Sequence, residues 1–131
     1  MSLLTRDAIL AAPDLLTEEV SVPEWGGTVL VRGLTGTERD AFEEEMITGK
    51  GKNRDVNLSN FRARLIVKSV VDKSGKRLFT QADMVALGGK SAAAIQRVFQ
   101  VAMRLSGMSE EDVEELTKNS EPGQSDSSIS A

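Results

Sequence analysis

"EVSVPEWGGTVLVRGLTGTERDAFEEE", residues 19–45, holds the chain's single tryptophan, a Gly26-Gly27 pair between valine-rich arms and the start of an acidic helix. Val20 and Val22 precede the glycines, and Val29 and Val31 follow them. Paired glycines tolerate the positive φ of tight turns, so a β-hairpin over about 19–33 is predicted. Two registers fit. A two-residue loop at the glycines pairs Val22 with Val31. A four-residue loop from Glu24 to Gly27 pairs Val22 with Val29 and Val20 with Val31, and it keeps Pro23, which has no N–H, out of the ladder. Side chains alternate along a strand, so both registers put all four valines on one face, which should be buried. Trp25 then sits at the turn, either packed over the hairpin's end or offered to a partner.

Downstream, Thr35 and Glu38 form a T-x-x-E capping box that opens a helix over about 35–48. Ala41, Phe42, Met46 and Ile47 should face inward and Glu43, Glu44 and Glu45 outward. Three consecutive glutamates point in different directions around a helix, and the chain has no histidine, so a solvated face is expected there instead of a metal site. Residues 49–55 are a polar, glycine-containing break. In "LSNFRARLIVKSVV", residues 58–71, Phe61, Leu65, Ile66 and Val70 fit a helical face, while the β-branched end also suits a strand; helix is preferred.

Thr80 and Asp83 cap a short helix over about 80–87, and Ser91 caps the clearest one, about 91–106. There Ile95, Val98, Phe99, Ala102 and Leu105 recur at helical spacing, and Gly107 closes the element. "GGKS" at 88–91 is not a phosphate loop, because Met84 stands where that motif needs its first glycine. Ser109 and Asp112 cap a last acidic helix over about 109–116. Before the hairpin, residues 3–17 form a short amphipathic segment broken at Pro13. The segment 118–131 is small and polar, cannot offset its ordering entropy by burial, and is expected to be disordered. The predicted architecture is α+β, mainly α: an N-terminal β-hairpin packed on four to five helices, one globular domain over 1–117, and a tail over 118–131.

Composition narrows the function. With aromatics at 4% of 131 residues, the core must rest on aliphatic side chains and alanine, which suits helices better than a β-sandwich. The chain has no cysteine, so disulfides and thiolate sites are excluded and a reducing compartment is expected. Arg6, Asp7 and Asp14 interrupt the apolar start, so neither a secretory nor a membrane-spanning segment is expected there. The net charge of −4 argues against general nucleic-acid binding. It conceals segregation, since Lys50 to Arg77 holds nine basic and two acidic residues, leaving room for a local basic surface. Histidine-dependent acid–base and nucleophilic arrangements are impossible. No catalytic residues, cofactor or metal are expected. What remains is the outline of a non-enzymatic interaction protein.

The valine-rich arms around "PEWGG", followed by "VRGLTGTERDAFEEE", resemble the N-terminal part of tail assembly chaperones of long-tailed bacteriophages. The likeness is best from Val20 to Glu45 and extends more loosely to Leu116, where "SEEDVEELTKNS" resembles the family's closing helix. The resemblance implies a protein that coats the tape-measure protein. A longer frameshifted product with the same start recruits tail-tube subunits, and neither product stays in the finished virion. Codons A-AAA-AAC at Thr117-Lys118-Asn119 would allow such a shift. The implied location is the host cytoplasm during phage assembly, with no membrane partner, and self-association is left open. The candidate partner-binding residues are Trp25 and Arg32 on the hairpin and Arg62, Arg64 and Lys68 in the basic run. Two alternatives are a structural virion component, such as a head-tail connector or tail-tube protein, and a small nucleic-acid-binding regulator acting through residues 50–77.

Overall fold

The computed structural model describes residues 2–48, 55–56, 60–109 and 111. Along the chain a short helix α1 (Arg6–Ala11) precedes strands β1 (Thr17–Val22) and β2 (Gly27–Arg32). Helix α2 (Gly36–Glu45), the two-residue strands β3 (Ile47–Thr48) and β4 (Asp55–Val56), and helix α3 (Phe61–Ser69) come next. Strand β5 (Val70–Val71) and helices α4 (Met84–Gly88) and α5 (Ala92–Leu105) complete the order. The fold is α+β and mainly helical, with an antiparallel sheet ordered β1-β2-β5 and a separate β3-β4 pair.

The hairpin forms in a register shifted from both of those expected. Val20 pairs with Val29 and Val22 with Gly27, so the loop is Pro23–Gly26. Pro23 opens a 3₁₀ turn over Pro23–Trp25, and Gly26 ends it at φ 79°, where a side chain would be strained. The proline therefore starts the four-residue turn one residue earlier than the loop expected from Glu24 to Gly27. Parity is unchanged: Val20, Val22 and Val31 are buried and Val29 is half-buried against the core.

Two expected helices end early, each because β-branched residues switch to a strand. The helix expected over 35–48 stops at Glu45, and Ile47 and Thr48 pair with Val56 and Asp55. The helix expected over 58–71 stops at Ser69. Val70 then turns extended and pairs with Val31 on the open edge of β2. Residues 49–54 of the polar break, 57–59, most of the helix expected over 109–116 and the whole of 118–131 lie outside the described residues.

Helix α5, capped by the Ser91 hydroxyl accepting from the Ala94 N–H, buries Ala94, Ile95, Val98, Phe99, Ala102 and Met103. That stripe packs on α3 and across both hairpin strands. Phe61 stands between Phe42 of α2 and Phe99 of α5, with ring centroids 5.5 Å apart on each side. Each such pair is worth about 1 kcal/mol beyond the area it buries, so these few rings join α2, α3 and α5. At the hairpin's root Gly33 passes so close to the end of α5 that a Cβ there would lie 2.3 Å from the Leu105 carbonyl oxygen.

Candidate functional site

Charged side chains first sort into those that hold the fold and those left over. Glu38 closes its capping box with both bonds, accepting from the Thr35 N–H at 2.9 Å while its own N–H donates to Thr35 Oγ1 at 3.1 Å. The same carboxylate accepts from Arg32 at 2.7 Å and from Arg77 at 2.7 Å, tying β2 and the segment after β5 to the start of α2. Burial works to raise its pKa, but the Thr35 amide, Arg77 and Arg32 outweigh it and leave the carboxyl below its ordinary value. Arg32, expected on a partner-binding surface, is thus committed to Glu38.

The basic run of α3 is divided by depth. Lys68 is buried, with Nζ 2.7 Å from Glu45 Oε2, and Arg64 lies 3.9 Å from Glu45 Oε1. Arg62 is exposed, bonds Gln96 of α5 and lies over the Phe99 ring at 5.5 Å. Helical geometry separates Arg62 from Lys68 by more than one turn, and α3 is buried along the face that Lys68 shares.

At the hairpin's tip Arg97 of α5 grips Glu24 through two bonds of 2.7 and 2.9 Å. This hydrogen-bonded pairing draws the Glu24 pKa down to about 2. Beside it, half-buried Trp25 lines a groove of about 470 Å³ with Leu78, Phe79, Asp83, Leu87 and Lys90. The Trp25 indole N–H is buried and has no acceptor among the described residues. A second, more polar groove of about 500 Å³ contains Asn60, Arg62, Gln96 and Lys90, so Lys90 borders both. Trp25 and Arg62, two of the five sequence-derived candidates, therefore stand on adjoining grooves. Leu78, Phe79 and Lys90 were not among those candidates. The "RLF" triplet at 77–79, two apolar residues in a polar turn region, was the available signal.

The two grooves offer apolar contact at Trp25, Leu78 and Phe79, and positive charge at Arg62 and Lys90. Among the described residues no group of three His, Cys, Asp or Glu is placed to hold a metal ion, and no helix is long and apolar enough to cross a membrane.

Comparison with known proteins bears on this surface. No curated protein matches the chain. A solved structure, the bacteriophage HK97 tail assembly chaperone, is similar at 17% identity and a TM-score of 0.52, covering 70% of this chain and 85% of that one. At that identity the likeness establishes the shared fold. The family model for phage tail assembly chaperones matches residues 5–119, which includes the hairpin, every described helix and both grooves. With the match running through most of its length, the chain belongs to the phage tail assembly chaperone family.

Proposed function

We propose that this chaperone binds helical segments of a tape-measure protein and keeps them soluble, laying their apolar stripes into the groove beside Trp25. The observation carrying this reading is the pairing of two adjoining grooves, one apolar and one with exposed Arg62, joined at Lys90. An amphipathic helix recognises such a surface through residues at i, i+3, i+4 and i+7, with acidic flanking residues meeting the two cations. Arg32, Arg64 and Lys68 serve this surface indirectly, through Glu38 and Glu45, by holding β2 and α3 in place. A longer frameshifted form of the same chain would bring tail-tube subunits to the coated client. Both forms would act in the host cytoplasm and be absent from the finished particle.

Co-expression with the long helical reading frame of the same phage tests this. A soluble complex should form, and Leu78→Asp should abolish it. Arg62→Glu should weaken it, more at low salt than at high. If the long protein stays insoluble and unbound across several fragments, or this chain is abundant in purified virions, the structural-component alternative takes its place.

A further inference from the structure

Positive charge on the described surface is mostly balanced in place. Among the described residues every arginine and lysine except Arg62, Lys73, Lys76 and Lys90 stands within salt-bridge reach of a carboxylate. Lys73 and Lys76 lie on the exposed turn after β5, where the Asp72 carboxylate accepts from Ser74 and from the Lys76 N–H. Arg62 and Lys90 differ, because α3 and the turn after α4 bring them into one groove of about 500 Å³.

No carboxylate among the described residues lines that groove. Its nearest polar group, Gln96, gives its amide oxygen to Arg62. Helices α3 and α5 both begin at its wall, so the positive ends of two helix dipoles add to the two side chains. Phe61, Ala63 and Ile95 complete the lining with apolar surface, which lowers the local dielectric and strengthens attraction for an anion. In a chain of net charge −4 this groove is the exception.

The counter-charge is in the same chain. Residues 110–126, "EEDVEELTKNSEPGQSD", carry seven carboxylates and one lysine. All but residue 111 lie outside the described residues, and the end of α5 launches them. Gly107, at φ 73°, closes a Schellman turn in which the Met108 N–H donates to the Met103 carbonyl at 2.9 Å, and Met108 is buried. The groove lies at the other end of α5, about 20 Å away at the rise of a 14-residue helix. The segment covers that distance. Wound as the helix expected over 109–116 it advances about 12 Å, and five extended residues from Thr117 to Glu121 add about 16 Å. Tethering holds the local concentration of these acids near about the millimolar range, so weak ion pairs suffice.

We propose that residues 110–126 fold back along α5 of their own molecule and set Glu121 and Asp126 against Arg62 and Lys90. The inference deepens the reading given under Proposed function, because these are the cations assigned there to a client's acidic flank. A client helix must then displace the segment. One without acidic flanks leaves it seated, so the contact discriminates among apolar helices.

The native chain has no cysteine, so disulfide formation can probe the full-length protein alone, without any client. Ala92→Cys marks the groove, Ser120→Cys the segment, and Ser74→Cys the turn that holds Lys73 and Lys76. At low salt the 92–120 pair should close within one chain about tenfold faster than the 74–120 pair. In about 1 M salt, where screening acts over about 3 Å, that preference should largely vanish. Arg62→Glu with Lys90→Glu should abolish it at any salt. In the cysteine-free chain, Glu121→Gln with Asp126→Asn should shift the backbone amide resonances of Lys90 and Gln96 and leave the melting temperature unchanged. Three outcomes overturn the proposal: equal closure rates for the two pairs, linkage mainly between chains, or amide resonances that the two neutral substitutions do not move. Because no client is present, failure here leaves the client reading standing, and a failed co-expression leaves this one standing.

Discussion

The two ends of the hairpin use similar residues and reach opposite states. At the root Gly33 meets the Leu105 carbonyl, the Leu34 N–H donates to Ser106 Oγ at 3.0 Å, and Leu34 and Met108 are buried. At the tip Trp25 is half-buried beside an open groove, and Leu78 is 53% exposed. Where Gly33 meets the end of α5 the root is closed against backbone and has little tolerance for change, although a groove of about 440 Å³ lined by Leu15, Leu34 and Ser106 opens beside it. The tip is walled by side chains, which can be exchanged without moving the backbone. Stability should therefore respond to substitutions at the root, and binding to substitutions at the tip.

The sharpest break is Gly33→Ala. Its Cβ would fall 2.3 Å from a backbone oxygen that no side-chain rotation can move, so either the hairpin or the end of α5 must shift. Overpacking of this kind costs about 3 kcal/mol. Urea unfolding should show the loss as a lower midpoint with an unchanged slope. An unchanged midpoint would mean that the root is looser than it looks and the contrast between the two ends fails.

Next comes the ion pair inside the bundle. Glu45→Ala leaves the Lys68 ammonium buried without its 2.7 Å partner. A fully buried orphan charge costs about 3–5 kcal/mol, and the partial exposure of Glu45 reduces this to about 2 kcal/mol. Lys68→Met in the Glu45→Ala background should recover most of that, because the unpaired charge is gone. No recovery in the double variant would mean that Lys68 reaches water.

How much of this was legible follows the same division. The valine face, the capping boxes at Thr35 and Thr80, and α5 from Ser91 were legible because each is written in local spacing. The register was not. It turned on Pro23 nucleating a 3₁₀ turn, a choice that competes with the glycine pair and is settled by which strand residues then align. Strand β5 was half legible. The β-branched Val70-Val71 pair advertises a strand, but what ends α3 there is a vacant edge on β2, a tertiary fact. Lys68 shows the limit for the candidate site: a lysine among arginines looks like a basic surface until its helix is packed, and only then is it found facing Glu45. Trp25 and Arg62 could be picked out as unusual residues. That Lys90 joins their grooves depends on α4 and the turn after it, 65 residues from the tryptophan.

Acid should reveal the electrostatic part of the same frame. Glu38 and Glu24 have folded pKa values below the 4.5 of an unperturbed glutamate, Glu24 at about 2. Each therefore binds fewer protons folded than unfolded between those values. Their contribution is present in full above about pH 4.5 and is lost as pH falls through the folded pKa. Glu38→Gln keeps an acceptor for the Thr35 N–H but removes the charge facing Arg32 and Arg77. It should lower stability by about 1 kcal/mol at pH 7, a size suited to a part-buried pair. The difference from wild type should shrink towards zero on acidification, read from thermal melts across the pH range. A constant difference would place the effect in the cap and not in the charge.

The smallest effect on stability should come at the tip, with Trp25→Phe. The substitution removes part of an aromatic surface packed on the core, which destabilises, and also an indole N–H that is buried without an acceptor among the described residues, which stabilises. An unsatisfied buried donor costs about 1–3 kcal/mol, and losing the smaller half of a half-exposed ring costs a similar amount, so the two nearly cancel. Unfolding free energy should change by less than about 1 kcal/mol, below the typical cost of a substitution. The phenyl ring keeps an apolar wall on the groove, so binding of an apolar helix should survive, whereas Trp25→Asp should remove it. If Trp25→Phe instead destabilises by several kcal/mol, the indole nitrogen has found an acceptor and the tip is as tightly built as the root.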